Sequence, residues 1–310
     1  MADINASMVK ELRGRTQAGM AACKDALVEA GGDMEKAVEI ILKKGLVKAA
    51  DRAGRIAAEG EVATWVSPDG KKGVIVEVNC QTDFVSRGQE FKEFVKNVLV
   101  AASAAAPGAE LGSLKYPGTG ETVDATRAAL VAKSGENTVV RRWGALLAKE
   151  PAGFVHTYVH NGRVAVLVHA EAHDASAKSS PDLRAFVDNV AMQIAAMGPT
   201  VVHKEHVSQD QIDKQKEIFA AQLKEEGKPE AAWPKIMEGK LAKWFTEITL
   251  HGQDNVWDPP AGTVDKVRQE VGRKLGGEIK IHGFLRYSLG EGIEKKIEDL
   301  AAEVAKTIEG

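Results

Sequence analysis

Two cysteines and eight histidines are the side chains of this 310-residue chain best suited to nucleophilic or metal chemistry. Cys80 ends the run Val74-Ile75-Val76-Glu77-Val78-Asn79, which is β-branched and reads as a buried strand. A nucleophilic thiol needs an adjacent base and a lowered pKa, so Cys80 reads as an inert buried group. Neither Cys80 nor Cys23 belongs to a C-x-x-C pair, which gives no sign of a disulfide framework or zinc ribbon. His156 and His160 stand four apart, as do His169 and His173. On strands such pairs share a face but lie about 13 Å apart, too far for one metal. His203 and His206 stand three apart near a helix start, with no third ligand evident. The chain has no G-x-x-x-x-G-K-[ST], G-x-S-x-G or H-E-x-x-H. Expected, then, are no enzyme active site, no cofactor, no resident metal and no direct nucleotide binding.

The segment that calls for an explanation is Thr82-Asp83-Phe84-Val85. It follows the buried strand and precedes Phe91, Phe94, Val95, Val98 and Leu99, whose spacing predicts an amphipathic helix. The four residues therefore form a strand-to-helix corner. Asp83 could be an ordinary cap, and Phe84 or Val85 a staple residue. An internal repeat supplies a control. Val164, Val166, Val168 and Ala170 match Val74, Val76, Val78 and Cys80; Leu183, Phe186, Val187 and Val190 match the helix. A hairpin with Asn161-Gly162 at its turn precedes the second unit. At its corner the second copy carries Ala172-His173-Asp174-Ala175. A phenylalanine kept only for packing should have an apolar counterpart there, so the first corner reads as functional.

The elements that must position this corner give an α+β fold class. Residues 1–50 predict a three-helix domain. Thr16 caps the second helix, Met20, Cys23, Leu27 and Ala30 share a face, Asp33 caps the third, and Gly45 ends it. Residues 51–60 read as a linker, and 61–152 as a first α+β subdomain. Within the latter come strands at 61–66 and 71–79 around Ser67-Pro68-Asp69-Gly70, a loop at 101–112, and helices at 122–132 and 137–149. Asn137 would cap the last of these, with Arg141 and Arg142 on a solvated face or against an acidic partner. Residues 153–204 and 246–288 form a second, repeated subdomain. Residues 205–245 have thin apolar stripes and predict a protruding antiparallel helical hairpin. A C-terminal helix closes the chain within 289–310. Net charge of −3 argues against nonspecific nucleic-acid binding as the primary role. The absence of a signal-peptide pattern or a long apolar run predicts a cytoplasmic protein without a membrane span.

The run from Asn79 to Val85, with KELRGRTQAGMAACKDAL at 10–27 and SGENTVVRR at 134–142, resembles the elongation factor Ts family. The resemblance implies a guanine nucleotide exchange factor whose partner is the GTPase elongation factor Tu. It implies that the N-terminal domain is ubiquitin-associated-like and docks onto that GTPase, that the hairpin is a coiled coil, and that the last helix also touches the partner. Thr82, Asp83, Phe84 and Val85 would dislocate the partner's Mg2+, and Arg13 and Met20 would contact the partner. Ala21 stands where a second methionine is common, and Met20 could equally be a core residue. The alternative reading is a chaperone or scaffold that holds a GTPase without catalysing exchange.

Overall fold

The computed structural model describes residues 4–16 and 18–294. Its helices are α1 (Ala6–Thr16), α2 (Met20–Glu29), α3 (Met34–Arg52), α4 (Asp83–Arg87), α5 (Gln89–Ala104), α6 (Val123–Ser134), α7 (Pro181–Met197), α8 (Gln209–Glu225), α9 (Trp233–Ile248) and α10 (Val264–Leu275). Its strands are β1 (Glu59–Val66), β2 (Lys72–Cys80), β3 (Thr138–Leu147), β4 (Gly153–His160), β5 (Val164–Glu171) and β6 (Lys280–Ser288). The architecture is α+β.

The first three helices close around Leu12, Cys23, Leu27, Ala37 and Ile41. Asp33 caps α3 by accepting from the Lys36 amide at 3.1 Å. Two expectations fail here for local reasons. Thr16 does not cap α2; it ends α1, where its hydroxyl donates back to the Leu12 carbonyl at 2.8 Å. Gly45 does not end α3, because the residues beyond it have apolar partners on α6. A Cβ at Gly45 would meet the Ala128 backbone of α6 at 3.5 Å, an ordinary van der Waals contact, so the position lies on the face that packs on α6. The helix continues to Arg52 and seats Ala49 against Ala128 and Val131. The expected linker at 51–60 thus begins as packed helix and ends inside β1.

Each half of the remaining chain is an antiparallel three-stranded sheet, in the orders β1-β2-β3 and β4-β5-β6. Period-two alternation decides what each strand face meets. Val74, Val76, Val78 and Cys80 of β2 face α5, packing on Phe91, Phe94, Val95 and Val98. Ile75 faces the other way and meets Val155, Ala165 and Leu167 of the second sheet. In β5, Val166, Val168 and Ala170 face α7 and its Leu183, Phe186, Val187 and Val190. The two sheets therefore lie face to face between helical layers, and the central strand of each is covered on both sides. Glycine permits the close approach. A Cβ on Gly73 would fall 2.4 Å from Val155 Cγ1, and one on Gly144 would fall 2.8 Å from Leu285 Cδ1.

The helix expected at 137–149 is instead β3. The residues are β-branched and aromatic, which suits a strand. A bulge hides the alternation: Glu77 pairs with Arg142 and Val78 with Val140, leaving Arg141 extra. On either side of it Val140, Trp143 and Ala145 face the helices. The loop expected from residue 101 is also shorter than it reads. α5 runs to Ala104, burying Ala101 and Ala102. Outside the sandwich, α8 and α9 bury only Leu223 between them. Lys240 of α9 sits 3.6 Å from Glu226 and 5.6 Å from the Phe219 ring centroid, as antiparallel pairing requires. The Thr200 amide ties the base of α9 by donating to the Ile248 carbonyl at 2.8 Å. No helix among the described residues is long and apolar enough to cross a membrane. Residues 289–292 form a turn through Gly290 and Gly292, and 293–294 are irregular rather than helical; the rest of the expected C-terminal helix lies outside the described residues.

Candidate functional site at the strand-to-helix corner

β2 ends at Cys80, and α4 begins three residues later at Asp83. Thr82 is the N-cap, its hydroxyl oxygen accepting from the Val85 amide at 3.4 Å. A second group holds the same residue from outside. The Glu136 carboxylate accepts from the Thr82 amide at 3.0 Å and from its hydroxyl at 2.7 Å. Beside it, the Asn137 amide donates to Gln81 Oε1 at 2.7 Å, and the Asn137 side chain donates to the Arg55 carbonyl at 2.9 Å. The β3 entry thus clamps the corner at two consecutive residues. Asn137 is no helix cap; it joins the corner to the segment that follows α3. Glu136 was not singled out from the sequence, although it lies within the SGEN run.

With its backbone held this way, the corner divides its side chains. Val85 turns inward onto the core under α5. Asp83 pairs with Arg87 one turn on, at 2.8 Å. Phe84 turns outward and is 84% exposed, more than any other large apolar side chain described. Holding a benzyl ring in water gives up roughly 2 kcal/mol of burial energy that the molecule itself never recovers. The staple reading of Phe84 therefore fails, while Val85 does have a packing role.

Cys80 is buried, and its thiol donates to the Thr82 carbonyl at 3.2 Å. Burial, with the carboxylates of Glu136 and Glu59 nearby, pushes its pKa up to about 12. It stays a thiol at neutral pH and cannot serve as a nucleophile.

The second corner lacks this geometry. Asp174 turns its carboxylate onto its own loop, accepting from Ser176 Oγ at 2.7 Å and the Ala177 amide at 2.8 Å. His173 lies against Gly277, where a Cβ would fall 2.3 Å from the ring. The loop presents no large apolar side chain.

Arg13 and Met20 sit on the N-terminal helices, outside the corner. Met20 is 62% exposed, so it is not a core methionine. Arg13 lines a cleft of about 400 Å3 with Glu90, Glu93 and Tyr116, facing acidic groups of its own chain. Arg141 and Arg142 are neither on a helix nor turned to solvent. Both bond the carboxylate of Glu77, buried between the sheets, at 2.9 and 2.5 Å. Burial alone would raise the pKa of Glu77. The Gly290 amide and the two guanidiniums outweigh it and hold the carboxyl below its ordinary range.

A family model described as Elongation factor TS matches residues 81–291. Elongation factor Ts of Clostridium kluyveri is 45% identical over 311 residues, covering 99% of each chain. That of a Nitratiruptor species is 46% identical over 305 residues, covering 97% of this chain and 98% of the relative. That of Thioalkalivibrio sulfidiphilus is 44% identical over 308 residues, covering 99% of each. With likeness of that depth running nearly end to end, through both sheets and the clamped corner, the chain belongs to the elongation factor Ts family of translation elongation factors.

Proposed function

We propose that this protein promotes GDP release from elongation factor Tu by pressing Phe84 into the GTPase. Such a GTPase holds its nucleotide through a phosphate-cradling loop, a lysine and Mg2+. A partner speeds release only by favouring a conformation with weaker nucleotide contacts, and that coupling is reciprocal. A rigid apolar projection suits the task, since its burial in the partner rewards one conformation over the other. Phe84 is the wedge. Asp83, beside it, disturbs the Mg2+ side electrostatically without ligating the ion. Thr82 and Val85 fix the angle at which the ring leaves the corner. Arg13 and Met20 add contacts from the N-terminal helices, Met20 as an exposed apolar anchor.

The observation that carries this reading is an 84% exposed phenylalanine on a backbone fixed by its own cap and by Glu136. Buried aromatic anchors commonly cost about 2 kcal/mol or more when truncated. Stopped-flow release of a fluorescent GDP from the GTPase tests the reading and separates exchange from mere holding. Phe84→Ala is expected to slow release by about tenfold or more, equivalent to roughly 1.4 kcal/mol. An unchanged rate in a folded variant would reject the wedge.

A further inference from the structure

At the end of the sandwich remote from the corner, Glu150, His169 and His282 come together. Among the described residues this is the one group of three such side chains whose ligand atoms all lie within 4.8 Å of one another. His169 Nε2 stands 2.9 Å from Glu150 Oε2, and His282 Nε2 stands 2.9 Å from Glu171 Oε2. The two imidazole rings are 4.6 Å apart, centroid to centroid. Nine residues of β2 separate this place from Phe84: Lys71, just before that strand, donates to the Glu150 carbonyl at 2.6 Å, and the corner follows its far end.

The fold goes to some trouble to make this juxtaposition. His169 pairs with Gly283 and Ala170 with Ile281, so His282 is the extra residue of a bulge in β6. Bulges re-aim side chains, and this one sets His282 beside His169. His169 is buried, at 9% exposure. Two imidazoles and two carboxylates make a nitrogen and oxygen donor set of the kind Zn2+ takes, with a total charge that cancels the ion's. Ligand atoms around a tetrahedral zinc lie about 3.3 Å apart at ordinary bond lengths, so the three atoms, now within 4.8 Å of one another, must draw together on binding, with Glu171 reaching the ion past His282.

We propose that Glu150, His169 and His282, with Glu171 as a fourth donor, form a binding site for a divalent transition metal of the Zn2+ class. The ion ties the β3–β4 connection, which carries Glu150, to β5 and β6. The paired histidines of the sequence could not reveal it, because its ligands come from three separate parts of the chain.

The full chain, stripped with chelator and titrated calorimetrically with ZnCl2, is expected to take up a single equivalent. Zinc binding should raise its thermal midpoint, because the ion binds only the folded state. Co2+ in place of zinc should give the visible bands of a nitrogen and oxygen tetrahedral site, without thiolate charge transfer. His282→Gln and Glu150→Gln should each weaken binding by at least about tenfold, the loss seen even for outer-shell partners. His282 and Glu150 are a third exposed in their side chains, unlike the more buried His169, so these variants should fold. His160→Gln is the control, since His160 stands at the β4–β5 turn beside Tyr158, at the other end of β5 from His169, and it should bind like the parent. No uptake by the parent, uptake unchanged in His282→Gln and Glu150→Gln, or loss in His160→Gln alone would each overturn the proposal.

Discussion

The two halves of the sandwich share a scaffold and diverge at two places. At the corner after the central strand, the first half carries Phe84 in solvent on a clamped turn, and the second carries a polar loop folded onto itself. On the inner face of the central strand, the first half carries buried Glu77 and the second, at the equivalent position, buried Leu167. Both halves place a bulge in their third strand. One gathers Arg141 and Arg142 onto Glu77, and the other sets His282 beside His169. A repeated unit thus keeps its apolar helix-facing side and changes the inner face and the exits. The helix-facing side is constrained by close packing, where single methylenes matter. The exits meet water and can diverge.

The comparison can be broken at Glu77 first. Glu77→Gln should destabilise the fold by about 3 kcal/mol, because it leaves two guanidiniums without their buried counter-charge. Denaturant unfolding measures this, and Leu167→Ile in the other half should cost less than half as much. The acid limb follows from the lowered folded-state pKa of Glu77. Its stabilisation is present above the unfolded carboxylate value, about 4.3, and is lost as pH falls through the lower folded value. The parent should therefore lose more stability than Glu77→Gln as pH drops below about 4.

Glu136→Ala should come next. It removes two charge-assisted hydrogen bonds from Thr82, at about 2 kcal/mol in stability, and should slow GDP release by letting the ring swing. Retention of both properties would mean that the corner is stiff without the clamp. Phe84→Ala should do the reverse, losing about tenfold in release rate while its melting behaviour stays within about 0.5 kcal/mol, as for surface substitutions generally. The smallest effect belongs to the second corner. His173→Ala should leave the release rate within about twofold, as suits a surface site away from the contact. A large loss there would dissolve the contrast between the corners.

Much of the fold was legible from pattern alone. The alternation in 74–80 and 164–170, the helical spacing in 91–99 and 183–190, and the Asn161-Gly162 turn each rest on local periodicity or turn chemistry, and each is where the residues predict. The misreadings share a cause. β3 looked helical because a bulge interrupts its alternation, and that bulge exists to satisfy Glu77 on a different strand. Gly45 looked like a stop because glycine often is one; here the helix runs on because Ala49 beyond it packs on α6, from another part of the chain.

By itself the sequence determined the two central strands, the helices that cover them, and the place of Thr82-Asp83-Phe84-Val85 between strand and helix. These follow from interactions spanning a few residues, which side-chain type and spacing encode directly. Only the tertiary structure decided that Phe84 faces solvent while Val85 faces the core, that Glu136 grips the corner from 54 positions away, and that Glu150, His169 and His282 converge. Those outcomes depend on how two sheets stack and where two strands bulge. Each is settled by close packing between segments distant in the chain, which no local pattern records.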